Sequence, residues 1–230
     1  MDDAQARVIL DKIVLQIFGV KNPFNLEEFA QKFAFDIVNP RKVTDIHGGE
    51  TWTRSTNEAR FIKQDDLSKL FENNDGLQQT VPLSSVSDVI AAWQQVDVRV
   101  TERYLNAHTI AQSDGIIESE NVYRSTEIRQ SKNILFSDGM GDCEYLAACN
   151  RCGDSSYCIR LEDSGECANS FNISWSSKIV NCFMMHDCYD MQDSMLCTGM
   201  RGKQYCVANM QFTKQEYEKI KSFMIEWMLS

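Results

Sequence analysis

The sequence predicts an α+β protein: a small helical and irregular amino-terminal region, then a two-sided parallel β-solenoid, then a capping helix. Three observations predict this fold class. Helical spacing of apolar residues opens the chain, a twelve-residue repeat of extended stretches begins near residue 95, and a second helical pattern closes the chain. All nine cysteines lie at or after Cys143, so the two halves also differ in composition.

The amino-terminal region, residues 1–94, begins with two helical patterns. Over residues 4–18 apolar side chains recur every three or four positions, and Gly19 follows as a typical helix end. A second helix is expected to begin at Asn25, whose side chain can cap the first turn while Glu28 reaches back to it.

The rest of this region reads as short strands and short helices. Weak alternation over residues 38–62, with the turn-like stretch HGGETW, predicts strands joined by a turn. Two further helices are expected at 65–73 and 85–95, with NNDG at 73–76 as part of their connection.

The repeat defines the second predicted domain, residues 95–212. Segments taken every twelve residues align without a gap, and each joins a seven-residue extended stretch to five residues typical of turns. We interpret two such segments as one rung of about 24 residues, because a twelve-residue coil would be too thin for so many large side chains. The large side chains in question include Tyr145, Tyr157, Phe171 and Phe183. About five rungs follow from this interpretation.

A rung of this length predicts that residues 24 apart stack on adjacent rungs. Cys158, Cys182 and Cys206 have that spacing and continue a column begun by Ile110 and Ile134. Inward packing is the favoured interpretation, because a free cysteine behaves as a small hydrophobic residue. We expect free thiols and a cytoplasmic location, since the amino terminus shows no export-signal pattern and nine cysteines cannot all pair within the chain.

A capping helix is predicted at 213–230. Thr213 and Glu216 form a capping-box pattern, and an apolar face follows. We expect this helix to cover the terminal rung, because an uncovered solenoid end exposes unpaired backbone groups and apolar interior.

The tract RGKQYCVANMQFTKQEYEKI, residues 201–220, resembles the carboxyl-terminal signature of a group of uncharacterised cysteine-rich bacterial proteins. In that signature a tyrosine–cysteine strand leads into the start of a helix. The resemblance implies a bacterial solenoid with a helical cap and carries no established activity. Two strands per coil of about 24 residues are also similar to the flattened β-helix of the iron–sulfur scaffold proteins SufB and SufD, a likeness of architecture alone.

Five residues form a candidate metal site. Cys149 and Cys152 have the C-x-x-C spacing typical of metal and redox centres, and Cys182, His186 and Cys188 could complete the ligand set. Such a set would hold zinc or an iron–sulfur cluster. The alternative is that these residues are ordinary core and turn side chains with no cofactor, and this interpretation is favoured.

Composition and spacing exclude other function classes. The net charge of −10 argues against binding nucleic acid, and no apolar run is long enough to span a membrane. Phosphate-loop, dinucleotide and nucleophile-elbow motifs are absent from the sequence. A carbohydrate-active enzyme would use the polar column Asp97, Asn121, Tyr145, Asn169 and Asp193, whose end carboxylates would lie about 19 Å apart, too far for a catalytic pair.

We therefore expect a non-enzymatic scaffold or interaction module, because flat repeat surfaces favour contact with other proteins. Its partner would be another protein or a second copy bound through a solenoid flank, giving a homo-oligomer. The alternatives are a structural zinc or iron–sulfur protein and a carbohydrate-active β-helix enzyme.

Overall fold

The computed structural model describes residues 1–71 and 77–230. The connector predicted at 73–76 lies outside the described residues. The described helices are α1 Asp3–Phe18, α2 Leu26–Phe33, α3 Leu67–Phe71, α4 Val86–Gln94 and α5 Lys214–Leu229, with a 3₁₀ turn at Gln64–Asp66. No described helix is both long and apolar enough to cross a bilayer.

The helix boundaries confirm the predicted capping signals. Asn25 and Glu28 form a capping box at the start of α2, and Thr213 and Glu216 form another at the start of α5. Gly19 ends α1 in the left-handed conformation, with φ of 72°. At each of these helix ends, local backbone hydrogen bonding decides where the helix stops or starts.

Short strands connect the amino-terminal helices to the solenoid. Strands β1 Arg41–Thr44 and β2 Glu50–Thr53 pair antiparallel, as the predicted turn between them requires. Strand β3 Arg60–Lys63 pairs in parallel with β4 Val98–Thr101, which follows α4. This β3–β4 pair holds α4 close to the beginning of the solenoid.

The solenoid strands follow one another along the chain, mostly four residues each. They are β5 Tyr104–Leu105, β6 His108–Ala111, β7 Asp114–Ile117, β8 Glu120–Tyr123, β9 Thr126–Arg129, β10 Lys132–Leu135, β11 Asp138–Gly141, β12 Glu144–Ala147, β13 Asn150–Gly153, β14 Ser156–Glu162, β15 Gly165–Ser174, β16 Ser177–Val180, β17 Phe183–His186 and β18 Tyr189–Gln192. A short antiparallel pair, β19 Cys206–Val207 and β20 Met210–Gln211, leads out of the solenoid into α5.

The register of these strands corrects the predicted rung length. Val122, Ile134 and Leu146 are neighbours in successive parallel strands, so one turn of the solenoid contains 12 residues. Alternate strands stack into two faces, and β15 takes part in both. The solenoid has about 7 turns, and the predictions of 24 residues per rung and of five rungs are wrong.

The reason for the error is the direction of the large side chains. Phe171 and Phe183 point away from the solenoid interior and pack against helix α1. The interior therefore needs to hold only small and medium side chains. Cys158 and Cys182 share a column, as predicted, but Ser170 lies between them, so they are two turns apart.

The interior follows a three-residue rule. Every third residue from Ser113 to Cys197 is buried, and the residue before each of them has a positive φ. Non-glycine residues adopt positive φ only rarely elsewhere. Here its recurrence turns the chain at regular intervals and directs four side chains per turn into the interior.

Interior serines satisfy backbone groups at the corners of each turn. Ser137 Oγ donates to the carbonyl of Leu135 at 2.8 Å and accepts from the backbone N–H of Cys149 at 3.1 Å. The same pair of contacts recurs for Ser119, Ser125 and Ser131. These hydroxyls matter because a buried N–H without a partner costs about 1–3 kcal/mol.

A second core covers one flank of the solenoid. An outward column of large apolar side chains packs against α1, α2 and α5: Tyr123, Leu135, Ala147, Ile159, Phe171, Phe183 and Met195. Helix α5 belongs to this flank, because the Tyr217 ring lies 5.7 Å from Tyr205 and the Lys221 ammonium lies 5.5 Å from the Phe183 ring. Tyr205 belongs to the last turn of the solenoid, and the expected cover of that end by α5 stays a prediction.

Candidate functional site

The candidate metal ligands occupy different columns of the solenoid. Cys152 and Cys188 share one interior column but are separated by Ser164 and Ser176, which places them three turns apart. At strand spacing this is about 14 Å, far beyond a shared metal ion. Cys149 lies on a different corner, where its Sγ accepts from the backbone N–H of Leu161 at 3.3 Å.

His186 is directed outward, away from the interior thiols. Its Nδ1 lies 3.1 Å from Ser174 Oγ, and its ring lies 6.5 Å from the ring of Trp175. Cys182 lies inside, in the column that also holds Ser170. Among the described residues, no group of three or more His, Cys, Asp or Glu side chains is arranged to hold a metal ion. The five candidate ligands are not brought together, and metal binding stays a prediction.

The cysteines instead take the place of interior serines. All nine are free and buried. Cys149 Sγ contacts the carbonyl of Ala147 at 3.3 Å, the same contact that Ser137 Oγ makes with Leu135 one turn earlier. Each cysteine position differs from Cys143 by a multiple of three. This spacing in the sequence indicates a three-residue periodicity of interior positions, which segments aligned every twelve residues do not reveal.

Burial favours the protonated form of the thiols of Cys143, Cys152, Cys167 and Cys182. Loss of hydration raises the pKa of Cys143 to about 11 and those of Cys152, Cys167 and Cys182 to about 12. Backbone N–H groups that point at the sulfur atoms oppose this shift only partly. Because the thiolate is the nucleophile and the metal ligand, these groups are poor at both tasks near neutral pH.

The native protein is therefore expected to leave all nine thiols unreacted with DTNB near neutral pH, and to expose all nine when unfolded in guanidinium. Labelling of the native state should be more than about a hundredfold slower, because it requires local opening. The substitution Lys203→Cys places a thiol at an exposed position and serves as the fast-reacting control. Rapid labelling at Cys149 and Cys152, or zinc whose removal exposes them, would contradict this account.

The polar column considered for carbohydrate chemistry lies beside helix α1. Lys12 Nζ lies 3.8 Å from the Tyr145 ring, and Gln16 Nε2 donates to Asn169 Oδ1 at 3.2 Å. The rings of Tyr145 and Tyr157 stack at 4.6 Å on adjacent turns. The middle of this column is therefore covered by a helix and does not line an open cleft.

No family model, no curated protein and no solved structure matches this chain. The resemblance of the carboxyl-terminal tract at 201–220 to cysteine-rich bacterial proteins stays a prediction. The likeness to SufB and SufD was based on a coil of about 24 residues, and the 12-residue turn removes that basis.

Helix α4 presents an exposed apolar face. Val86, Val89, Ile90 and Trp93 recur at i, i+3, i+4 and i+7, so they lie on one side of the helix. These four side chains retain between 47% and 75% of their surface. The helix was predicted from the sequence, but the absence of a covering partner within the described residues was not.

Proposed function

We propose that this protein is a non-enzymatic interaction scaffold that self-associates through the exposed face of α4. The observation that carries this proposal is the apolar stripe formed by Val86, Val89, Ile90 and Trp93. Contiguous apolar patches of more than a few hundred Å² are uncommon on monomeric proteins and mark interaction sites. A solenoid flank was the expected contact, but helices already cover one flank.

The chemistry of α4 favours a second copy as the occupant. A stripe at this spacing packs well against another helix, and two identical stripes can meet about a two-fold axis. Asp88 is the only charged residue in α4, and it serves the capping box with Ser85. The repulsion expected between two chains of net charge −10 is therefore not concentrated at the contact.

The position of α4 suits a scaffold role. The Arg60 guanidinium donates to the carbonyl of Gln95 just after the helix, and the Gln78 amide donates to the carbonyl of Ala92. Strand β4 follows directly and pairs with β3. Self-association through α4 would therefore join two rigid solenoids through a fixed connection.

Wild-type protein is expected to form a dimer, and Val89→Asp is expected to weaken it by at least about tenfold, because a charge would be buried without a partner. Light scattering coupled to size exclusion and sedimentation velocity measure the mass against the 26.4 kDa of one chain. Val8→Asp on α1 is the matched control, because Val8 is 68% exposed and lies outside the stripe. A wild-type monomer at every concentration tested, or an equal effect of both substitutions, would overturn the proposal.

A further inference from the structure

A groove on the outer surface of the solenoid is separate from α4. It has a volume of about 530 Å³ and is bordered by Asp163, Trp175 and Asp187 on one side and by Gly165 and Tyr189 on the other. Gly165 and Ser177 are neighbours in the strand register, and Ser177 is followed by Tyr189 on the next turn. Because Gly165 and Ser177 are small, they leave the groove open in the direction in which successive turns stack.

Two aromatic rings are exposed in this groove. Trp175 is 65% exposed and Tyr189 is 42% exposed, and neither residue belongs to one of the two apolar cores. Trp175 lies between the charged residues Asp163 and Asp187 in its column, at a position that water would favour for polar side chains. The Lys178 ammonium lies 5.3 Å from the centre of the Tyr189 ring. We call these two exposed rings, which line the same groove from adjacent turns, the aromatic platform.

Two charged groups at the groove, Asp187 and Arg201, have no ion-pair partner among the residues that the structure describes. The Asp163 carboxylate is held by Arg151 through two hydrogen bonds of 2.5 Å. Asp187 and Arg201 form no ion pair with another described residue. A carboxylate acceptor and a guanidinium donor are thus available beside the aromatic platform, and their charges balance.

We propose that this groove binds a neutral oligosaccharide. The C–H bonds on one face of a sugar ring are weakly positive and stack on the negative face of an aromatic ring. Sugar hydroxyls can then donate to the Asp187 carboxylate and accept from the Arg201 guanidinium. Few convergent polar groups beside an apolar surface are typical of small-ligand sites, and the net charge of −10 disfavours a polyanion.

The site differs from the polar column considered for catalysis. Trp175 and Tyr189 are open to solvent, whereas Tyr145 lies beneath Lys12 of α1. The proposal therefore concerns binding and assigns no reaction to Asp187. It is also independent of self-association, because none of the groove residues belongs to α4.

The test is binding of cellohexaose, mannohexaose, xylohexaose, maltohexaose and galactohexaose, measured by isothermal titration calorimetry and by tryptophan fluorescence. At least one of these glycans is expected to bind, and Trp175→Ala is expected to weaken that binding at least about tenfold. Trp175→Phe should retain part of the affinity, because a smaller ring keeps the stacking surface.

Trp227→Ala on α5 is the matched control, because Trp227 is 59% exposed and lies away from the groove. The Val89→Asp variant should bind the same glycan with unchanged affinity, which separates this site from dimer formation. If no glycan in the panel binds the wild type, or if Trp175→Ala and Trp227→Ala behave alike, the proposal is wrong. Circular dichroism of each variant verifies that the solenoid is folded.

Discussion

Alkaline conditions are expected to unfold this protein between about pH 9 and pH 12. The buried thiols have an ordinary pKa of 9.0, and burial raises the pKa of Cys152, Cys167 and Cys182 to about 12 in the folded state. The stability linked to these raised values is complete below pH 9 and is lost as pH rises, because the unfolded chain releases its protons first. Each of these three thiols contributes on the order of 1.4 kcal/mol per pH unit within this window.

Circular dichroism and urea titrations at a series of pH values measure this loss. The triple variant Cys143→Ser, Cys152→Ser and Cys167→Ser should unfold at a higher pH, because serine does not ionise in this range and fits the interior positions that other serines already occupy. Part of the alkaline transition should persist, since burial also raises the pKa of Tyr123 and Tyr217. A free energy of unfolding that stays constant up to pH 11 would show that the thiols are not buried.

Ile134→Ala and Leu135→Ala are each expected to lower the free energy of unfolding by about 2–5 kcal/mol. The two residues are adjacent in β10 and are both fully buried. Ile134 packs in the solenoid interior, whereas Leu135 packs in the flank core beneath the helices. Both substitutions therefore create buried cavities. In a strand with one face in water, one of two adjacent side chains would be exposed, and its substitution would have a much smaller effect.

Lys132→Ala in the same strand is the control, because its ammonium group is largely exposed and pairs with Glu120 at 3.4 Å. This change should alter the free energy by less than about 0.5 kcal/mol. Chemical denaturation monitored by fluorescence and circular dichroism measures all three variants. A small effect of Leu135→Ala beside a large effect of Ile134→Ala would show that the helices do not cover this flank.

The candidate site could be predicted only in part. The sequence singled out Cys149 and Cys152 by their spacing. In this fold every third residue faces the interior, so two cysteines separated by two residues simply occupy successive interior positions. The groove at Trp175 and Tyr189 gave no motif, because the two residues are 14 positions apart and line one groove only through the twelve-residue register. Likewise, the sequence predicted a helix at α4, whereas the exposure of its apolar stripe depended on which elements pack nearby.

The sequence by itself determined the order of the elements, the capped ends of α2 and α5, and the twelve-residue repeat of the second half. These features depend on local hydrogen bonds and on side-chain spacing, which are written in neighbouring residues. Only the tertiary structure decided the length of a turn. The same large side chains can either fill a wide coil or face outward from a narrow one, and here the helices α1, α2 and α5 supply the apolar surface that draws Phe171 and Phe183 outside.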